Sequence, residues 1–229
     1  MKNLILILCT VIGVTFLCFR DIPEVITASA ELNKTEVTIV IDPGHGGEDG
    51  GTVGVNGIME KDINLEISLL LSEVFEDAGY KVVMTRDGDF SIGDQSIATI
   101  AGRKASDIKR RVEICNNSGA ELVLSVHQNY FEQSKYHGAQ VFYGIADGSE
   151  MLAELIQTRL RNDIQPENTR EIKPGGEGIY LLNNTDLASV IIECGFLSNN
   201  NEAELLTQNE YQRKLAYAIF LGTVEYLDH

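Results

Sequence analysis

The chain has 229 residues, of which 44% are hydrophobic and 23% are charged, a composition typical of a folded globular protein rather than a disordered or collagen-like one. Its 34 acidic and 18 basic residues give a net charge of −16. DNA and RNA require a basic surface, so this charge excludes nucleic acid as an expected partner. An anionic membrane or polymer can bind only through a local, specific contact or with the help of a partner.

The first thirty residues have the pattern of a secretory signal peptide. Lys2 is followed by an uncharged apolar run from Leu4 to Phe19, and Ala28-Ser29-Ala30 is a small-residue cleavage site. The run is shorter than the ~20 residues that span a bilayer. We therefore predict that residues 1–30 are a signal peptide, with an uncleaved N-terminal anchor as the alternative, and that residues 31–229 form one exported domain. Any membrane contact is expected through residues 1–30 alone.

Two cysteines, Cys115 and Cys194, remain after residues 1–30 are set aside. They are far apart in sequence and no CxxC pair occurs, which excludes a disulfide framework and a cysteine zinc knuckle. A single bridge between them stays open, but two buried thiols are the preferred interpretation.

The predicted elements alternate between strands and helices along the chain. Seven glycines from Gly44 to Gly57 mark an irregular loop after the first strand. In chain order we predict a strand at 37–41, a helix that opens at Glu60 and stops near Gly79, a strand at 81–85, a helix at about 105–117 with a basic face (Lys104, Lys109, Arg110 and Arg111), strands at 121–127 and 140–143, a helix near Ser149, strands at 179–182 and 190–194, and helical structure over most of 200–227. This alternation predicts a three-layer α/β domain.

Four residues at the ends of these elements are candidates for chemistry. His45 lies among the loop glycines, which match no phosphate-binding template; His127 and Glu193 end strands, and Glu60 opens the first helix. Each alone has a structural interpretation: a hydrogen-bonded strand end, a salt-bridge partner, or a charge at a helix N-terminus. Because parallel strands place their carboxyl ends along one sheet edge, we expect the two histidines and Glu193 to converge, with Glu60 close by.

This set of residues is typical of a catalytic zinc site. Two imidazoles and one carboxylate, with an open position, suit Zn²⁺, and a second carboxylate outside the ligand shell can take and return a proton. Three ligands and one free acid match the four residues, so we expect one zinc ion per chain. The spacing is not that of a helix-borne HExxH protease site.

Six stretches together resemble the zinc-dependent N-acetylmuramoyl-L-alanine amidases of the Amidase_3 type. The resemblance implies that His45, Glu60 and His127 bind zinc and that Glu193 is the catalytic carboxylate. It also implies a mixed, mostly parallel sheet of about six strands flanked by helices, and hydrolysis of the amide between N-acetylmuramic acid and L-Ala in peptidoglycan. The stretches are IVIDPGHGG (39–47), MEKDINLEISLLL (59–71), GYKVVMTRDGD (79–89), RVEICNNSGAELVLSVHQN (111–129), NTREIK (168–173) and IIECGFLSNNNEAELL (191–206).

Within this family, the chain looks most like the sporulation-specific cortex amidases. The segments 102–111, 167–170 and 193–199 carry this finer resemblance. It implies action on the spore cortex, on the route to muramic-δ-lactam, and a location in the cortex, the intermembrane space or the cell wall. Asn129 and Arg170 are candidates for contact with the glycan strand or its stem peptide, although a loop-bracing role is equally compatible with their positions.

Control by a separate protein is expected from what the sequence lacks. The segment between Gln128 and Gly138 is too short for the self-blocking helix of some relatives, and no wall-binding module is recognised after the catalytic domain. We therefore expect an exported activating partner.

Two alternatives to an amidase remain: another exported zinc hydrolase of peptidoglycan, such as a deacetylase or a peptidase, and a non-catalytic peptidoglycan-binding protein. Glu193 argues against the second, because a pure binder has no use for a free acid beside a metal.

Overall fold

The computed structural model describes residues 37–229, so the predicted signal peptide lies outside the described residues. Within that range, none of the helices is long and apolar enough to cross a membrane. The centre of the fold is a six-stranded sheet with the strand order β2-β1-β3-β6-β4-β5. The strands are β1 (Thr38–Pro43), β2 (Lys81–Met84), β3 (Leu122–Asn129), β4 (Gln140–Tyr143), β5 (Lys173–Pro174) and β6 (Ala188–Phe196).

The sheet is mixed but mostly parallel, as predicted. Strand β1 runs parallel to β2 and β3, β3 to β6, and β4 to β5, whereas β4 and β6 are antiparallel. The helices are α1 (Glu60–Asp77), α2 (Ile100–Asn117), α3 (Ser149–Arg159), α4 (Tyr180–Asn184), α5 (Asn200–Leu206) and α6 (Asn209–Leu227). A short 3₁₀ turn (Val55–Gly57) and a π-helical turn (Leu160–Ile164) complete the regular structure.

Helices cover the sheet on both faces, which confirms the three-layer prediction. On one face, α1, α3 and α6 pack against a large apolar cluster that includes Ile39, Leu124 and Ile192. On the other face, α2 and α4 pack against a smaller cluster around Val40 and Val123. Because side chains alternate along a strand, the second face also receives the polar side chains at the strand ends. These are Asp42, Ser125, His127 and Glu193.

Two predicted elements differ from the structure. Residues 179–182 are not a strand: the chain forms helix α4 there, and the sixth strand is the two-residue β5. A four-residue apolar run has no periodicity that distinguishes a strand from a buried helix turn. Helix α2 begins at Ile100 rather than near 105, because Thr99 caps it by accepting a hydrogen bond from the Gly102 amide.

The basic face predicted for α2 wrongly includes Arg111. Its side chain is 3% exposed and points into the protein, whereas Lys109 and Arg110 are exposed. The reason is a set of buried acceptors on β1, described below.

Both cysteines in the described residues are free and buried, which confirms the interpretation as two thiols. Cys194 packs in the large cluster, on the face opposite to its neighbour Glu193, and Cys115 packs in the smaller cluster. Burial raises the pKa of the Cys115 thiol to about 12, so this thiol stays protonated and inert at neutral pH.

Gly222 allows α6 to approach α3 closely and provides a test of this packing. A Cβ atom at this position would lie 2.7 Å from the Ile156 Cα atom and 2.9 Å from its backbone nitrogen. We therefore expect Gly222→Ala to destabilise the fold by about 1–3 kcal/mol in chemical denaturation, as overpacking does. An increase in stability of ~1 kcal/mol, the ordinary gain from replacing glycine in a helix, would contradict the close approach.

Candidate metal centre

The loop that follows β1 is held by two buried arginines. Where the chain leaves the sheet, the carbonyl groups of residues 43–45 lose strand partners and need other donors. Arg86 donates to the carbonyl oxygens of Pro43 (3.0 Å) and Gly44 (2.9 Å). Arg111 donates to those of Pro43 (2.7 Å) and His45 (2.6 Å). Charge-assisted bonds of this kind are strong, so this loop has a fixed path.

Asp42 supplies the negative charge that keeps Arg111 buried. Its carboxylate accepts hydrogen bonds from Arg111 (2.6 Å), from Thr85 on the β2 side and from Ser125 on β3. Burial alone would raise the pKa of Asp42, but the Arg111 guanidinium and the two hydroxyl donors lower it to about 2. For Arg86, burial and the neighbouring Arg111 lower the pKa to about 10. For Arg111, burial acts in the same direction, but Asp42 and Asp107 outweigh it and raise the pKa above its usual value, so both guanidiniums are charged at neutral pH.

His45 has an unusual backbone conformation. Among the described residues, His45 is the one non-glycine residue with a positive φ angle, which is 63°. Such a conformation costs of order 1–3 kcal/mol and persists only where the surroundings fix it. Here Arg111 binds the His45 carbonyl, and Asp49 accepts a hydrogen bond from the imidazole Nδ1 at 2.9 Å.

Glu60, the first residue of α1, stands between the two imidazoles. Its Oε1 atom lies 3.2 Å from His45 Nε2 and 3.0 Å from His127 Nδ1. The Thr52 amide donates to the other oxygen at 2.8 Å, and the Gln128 amide donates to Oε1 at 3.2 Å. Burial opposes ionisation, but these two histidines lower the pKa of Glu60 well below its usual range. The carboxylate is therefore ionised and ready to act as a ligand.

The donor atoms of His45, Glu60 and His127 all lie within 4.8 Å of one another, a spacing that suits a metal ion. Two glycines leave room for this cluster. A Cβ atom on Gly44 would lie 2.3 Å from the His127 ring, and one on Gly51, which has φ 66°, would lie 2.6 Å from Glu60 Oε2. Two imidazole nitrogens and a carboxylate form a donor set that fits zinc.

Glu193 lies beside this cluster on the neighbouring strand. It is paired in register with His127, so that both side chains leave the same sheet face next to each other. Its Oε2 atom is buried without a hydrogen-bond partner among the described residues. Burial raises the pKa of Glu193 to about 7, and the nearby Glu60 carboxylate acts in the same direction. Glu193 therefore gives up its proton less readily than an ordinary carboxyl.

A cavity of about 840 Å³ opens over these side chains, between the loop after β1, the end of β3 and helix α4. The four predicted residues, His45, Glu60, His127 and Glu193, all line it, so the structure brings them together.

Asn129 also lines the cavity, but Arg170 is not among its described lining residues. Arg170 instead donates to the His137 carbonyl (2.8 Å) and to Gln140 (3.1 Å), and stacks over the Phe196 ring at 4.4 Å. Its geometry is therefore that of a brace for the 130–138 loop.

Asp49, Thr52 and Asn64 help to position the cluster but were not identified from the sequence. Asp49 and Thr52 belong to the glycine-rich loop, where spacing says little about which side chains meet. Asn64 lies one helical turn after Glu60, and its amide donates to the Gly44 carbonyl at 3.2 Å. The spacing from Glu60 to Asn64 on a predicted helix is the one signal that could have indicated a shared face.

The chain is similar to known proteins in both sequence and fold. The model of the family described as N-acetylmuramoyl-L-alanine amidase (Amidase_3) matches residues 39–224. The germination-specific N-acetylmuramoyl-L-alanine amidase of Bacillus subtilis is 40% identical over 189 residues, which cover 82% of this chain and 78% of that protein.

Two solved structures show the same fold. The CwlD amidase of Clostridioides difficile, solved in complex with the GerS lipoprotein, is 44% identical with a TM-score of 0.81, over 84% of this chain and 98% of that one. The amidase AmiC2 of Nostoc punctiforme is 30% identical with a TM-score of 0.71, over 85% of this chain and 98% of that one.

The Asp42–Arg111 pair predicts a specific loss of stability in acid. A carboxyl whose pKa falls from 3.8 to about 2 on folding stabilises the protein above pH ~4, and this contribution is lost as the pH falls towards 2. Its size is about 2 kcal/mol. Asp42→Asn should remove this part of the acid dependence and cost about 3 kcal/mol at pH 7, since it leaves a buried guanidinium without its carboxylate. Urea denaturation of the metal-free protein and of the variant, at several pH values, tests this; equal acid dependence in both would contradict it.

Proposed function

The chain belongs to the Amidase_3 family of N-acetylmuramoyl-L-alanine amidases, and we propose that it works as a zinc enzyme of the germination-specific, cortex-acting kind. It is an amidase whose substrate class is peptidoglycan. In this proposal His45, Glu60 and His127 hold one Zn²⁺, and Glu193 carries protons. The bond cleaved joins the lactyl group of N-acetylmuramic acid to L-Ala.

The observation that carries the proposal is the position of Glu193. A buried carboxyl oxygen without a hydrogen-bond partner is costly unless it has a function, and Glu193, whose Oε2 is such an atom, lies next to a cluster of metal-ligand type. A pure binding protein gains nothing from it. A hydrolase needs an acid whose pKa is near the working pH, and burial places that of Glu193 at about 7.

The contacts of Glu60 and Glu193 indicate which carboxylate binds the metal and which carries protons. Glu60 is ionised, touches both imidazoles and is fixed by backbone amides, which suits a ligand. When bound, zinc would polarise the scissile carbonyl and acidify a water molecule. Glu193 would take the proton of the attacking water and return it to the L-Ala nitrogen as the amide bond breaks, leaving a lactyl carboxylate and a free stem peptide. Asn129, which lines the cavity, is the candidate for a substrate contact.

The biological setting is proposed from the relatives. The similar B. subtilis protein is named germination-specific, which supports action on the spore cortex, on the route to muramic-δ-lactam. Export through residues 1–30 accords with a wall substrate. The C. difficile relative was solved with a lipoprotein, which supports an exported protein partner for this chain as well.

The reaction can be tested on purified muropeptides. Residues 31–229 loaded with zinc should release intact stem peptides with a free L-Ala amino group, as identified by mass spectrometry. Free amino sugars would indicate a deacetylase instead, and cleavage within the peptide would indicate a peptidase. Either result would overturn the proposed bond specificity.

The roles of the residues can be separated by zinc content. Glu193→Gln should keep its zinc and lose activity by ~10²–10⁴-fold, the usual contribution of a general acid/base. His45→Ala and His127→Ala should lose the metal. If Glu193→Gln loses zinc and Glu60→Gln keeps it, then the ligand and the proton carrier have been exchanged.

A partner should be detectable by activity on intact sacculi. We expect weak hydrolysis by the zinc-saturated enzyme alone and a clear increase when extract of sporulating cells is added, because a partner that binds the metal-loaded fold stabilises it. A rate of ~1–10³ per second without extract, with no further increase on its addition, would contradict the need for a partner.

A further inference from the structure

Three side chains form a line from the surface of α2 to the metal cluster. Lys104, in the second turn of α2, lies 2.7 Å from Asp49 Oδ1. The second oxygen of the same carboxylate, Oδ2, lies 2.9 Å from His45 Nδ1. Each carboxylate oxygen of Asp49 thus faces a different group, one on a helix and one in the metal cluster.

Asp49 is held firmly in the loop. Its backbone exchanges two hydrogen bonds with Gly46, at 2.9 and 3.1 Å, and the Gly51 amide donates to Oδ1 at 3.3 Å. Because the residue is fixed at both backbone and side chain, the direction of its carboxylate sets the direction of the imidazole that it contacts.

The contact also determines which imidazole nitrogen keeps its proton when the other binds a metal. A carboxylate accepts hydrogen bonds and cannot donate them, so the Nδ1 atom of His45 must carry the proton. The remaining nitrogen, Nε2, points to Glu60 Oε1 at 3.2 Å, towards the centre of the cluster. Hydrogen bonds of this kind orient metal-binding histidines and fix their tautomer.

We propose that Asp49 and Lys104 are a positioning pair that holds His45 in the orientation and tautomer needed to bind the metal. This inference rests on the proposed function, since it takes the cluster of His45, Glu60 and His127 to be the zinc site. Neither residue touches the reacting atoms: Asp49 acts through His45, and Lys104 acts through Asp49.

The chain contains a matched control for this proposal. Arg103 and Glu48 form the neighbouring ion pair between the same helix and the same loop, with an Arg103 nitrogen 2.6 Å from a Glu48 oxygen. Among the described contacts, this pair has none with His45. If the two ion pairs only tethered the loop, removing either pair would weaken zinc binding to the same extent. If Asp49 and Lys104 position His45, removing their pair should weaken zinc binding more.

The test is the zinc dissociation constant, measured by competition with a chromophoric chelator on the folded chain of residues 31–229. We expect Asp49→Asn to bind zinc about 10–100-fold more weakly than the unmodified protein. Lys104→Met should bind it about 2–5-fold more weakly, with recovery in Lys104→Arg. Glu48→Gln and Arg103→Met should stay within about twofold of the unmodified protein, as exposed pairs do.

A second readout does not depend on affinity. In zinc-loaded protein, ¹⁵N NMR should show His45 protonated at Nδ1 and ligated through Nε2, and this pattern should be lost or mixed in Asp49→Asn. Circular dichroism confirms that each variant is folded, and Lys104→Met keeps the proposal testable if Asp49→Asn does not fold, because it leaves the loop residue in place.

The outcomes separate this inference from the proposed function. If the unmodified protein does not bind zinc, or if His45→Ala binds it equally well, the metal site itself is wrong. If His45→Ala loses zinc but Asp49→Asn keeps full affinity and the same NMR pattern, only the positioning role is wrong. Equal weakening by Asp49→Asn and Glu48→Gln would also overturn it in favour of a loop tether.

Discussion

Three consecutive backbone carbonyls, those of Pro43, Gly44 and His45, accept hydrogen bonds from two buried guanidiniums, and the site depends on this arrangement. The chain must leave the sheet at this point, and buried carbonyls without partners are costly. Arg86, just after β2, and Arg111, on α2, provide the donors, and Asp42 compensates the charge of Arg111. The loop is thereby rigid enough to keep His45 in a backbone conformation that a histidine rarely adopts.

The remaining parts of the site come from elements that the sheet brings to the same edge. Strands β3 and β6 run parallel and in register, so His127 and Glu193 emerge side by side. Helix α1 begins where the glycine-rich loop ends, and its first residue, Glu60, reaches between the imidazoles. The pKa of Glu60, between the two histidines, is lowered, whereas that of the nearby Glu193 is raised. Opposite pKa shifts are expected where the surroundings make one carboxylate a ligand and the other a proton carrier.

Much of this could be predicted from the sequence, because the strand ends carry strong signals. Apolar runs located the central strands, and the common edge of parallel strands placed His127 beside Glu193. The strand predicted at 179–182 was wrong, because so short an apolar run has no periodicity that distinguishes a strand from a helical turn. Arg86 and Asp49 were not singled out, because their contacts are tertiary: Arg86 reaches a carbonyl 43 residues earlier in the chain, and Asp49 meets His45 through an irregular loop. Local spacing contains no information about such contacts.

The central claim is that Glu60, and not Glu193, completes the ligand set with the two histidines. Crystals of the zinc-loaded protein, measured on both sides of the zinc absorption edge, test it most directly. We expect one anomalous peak, coordinated by His45 Nε2, His127 Nδ1 and the Glu60 carboxylate, with the Glu193 carboxyl outside the ligand shell. A peak coordinated by Glu193 in place of Glu60, or located away from the two histidines, would contradict it.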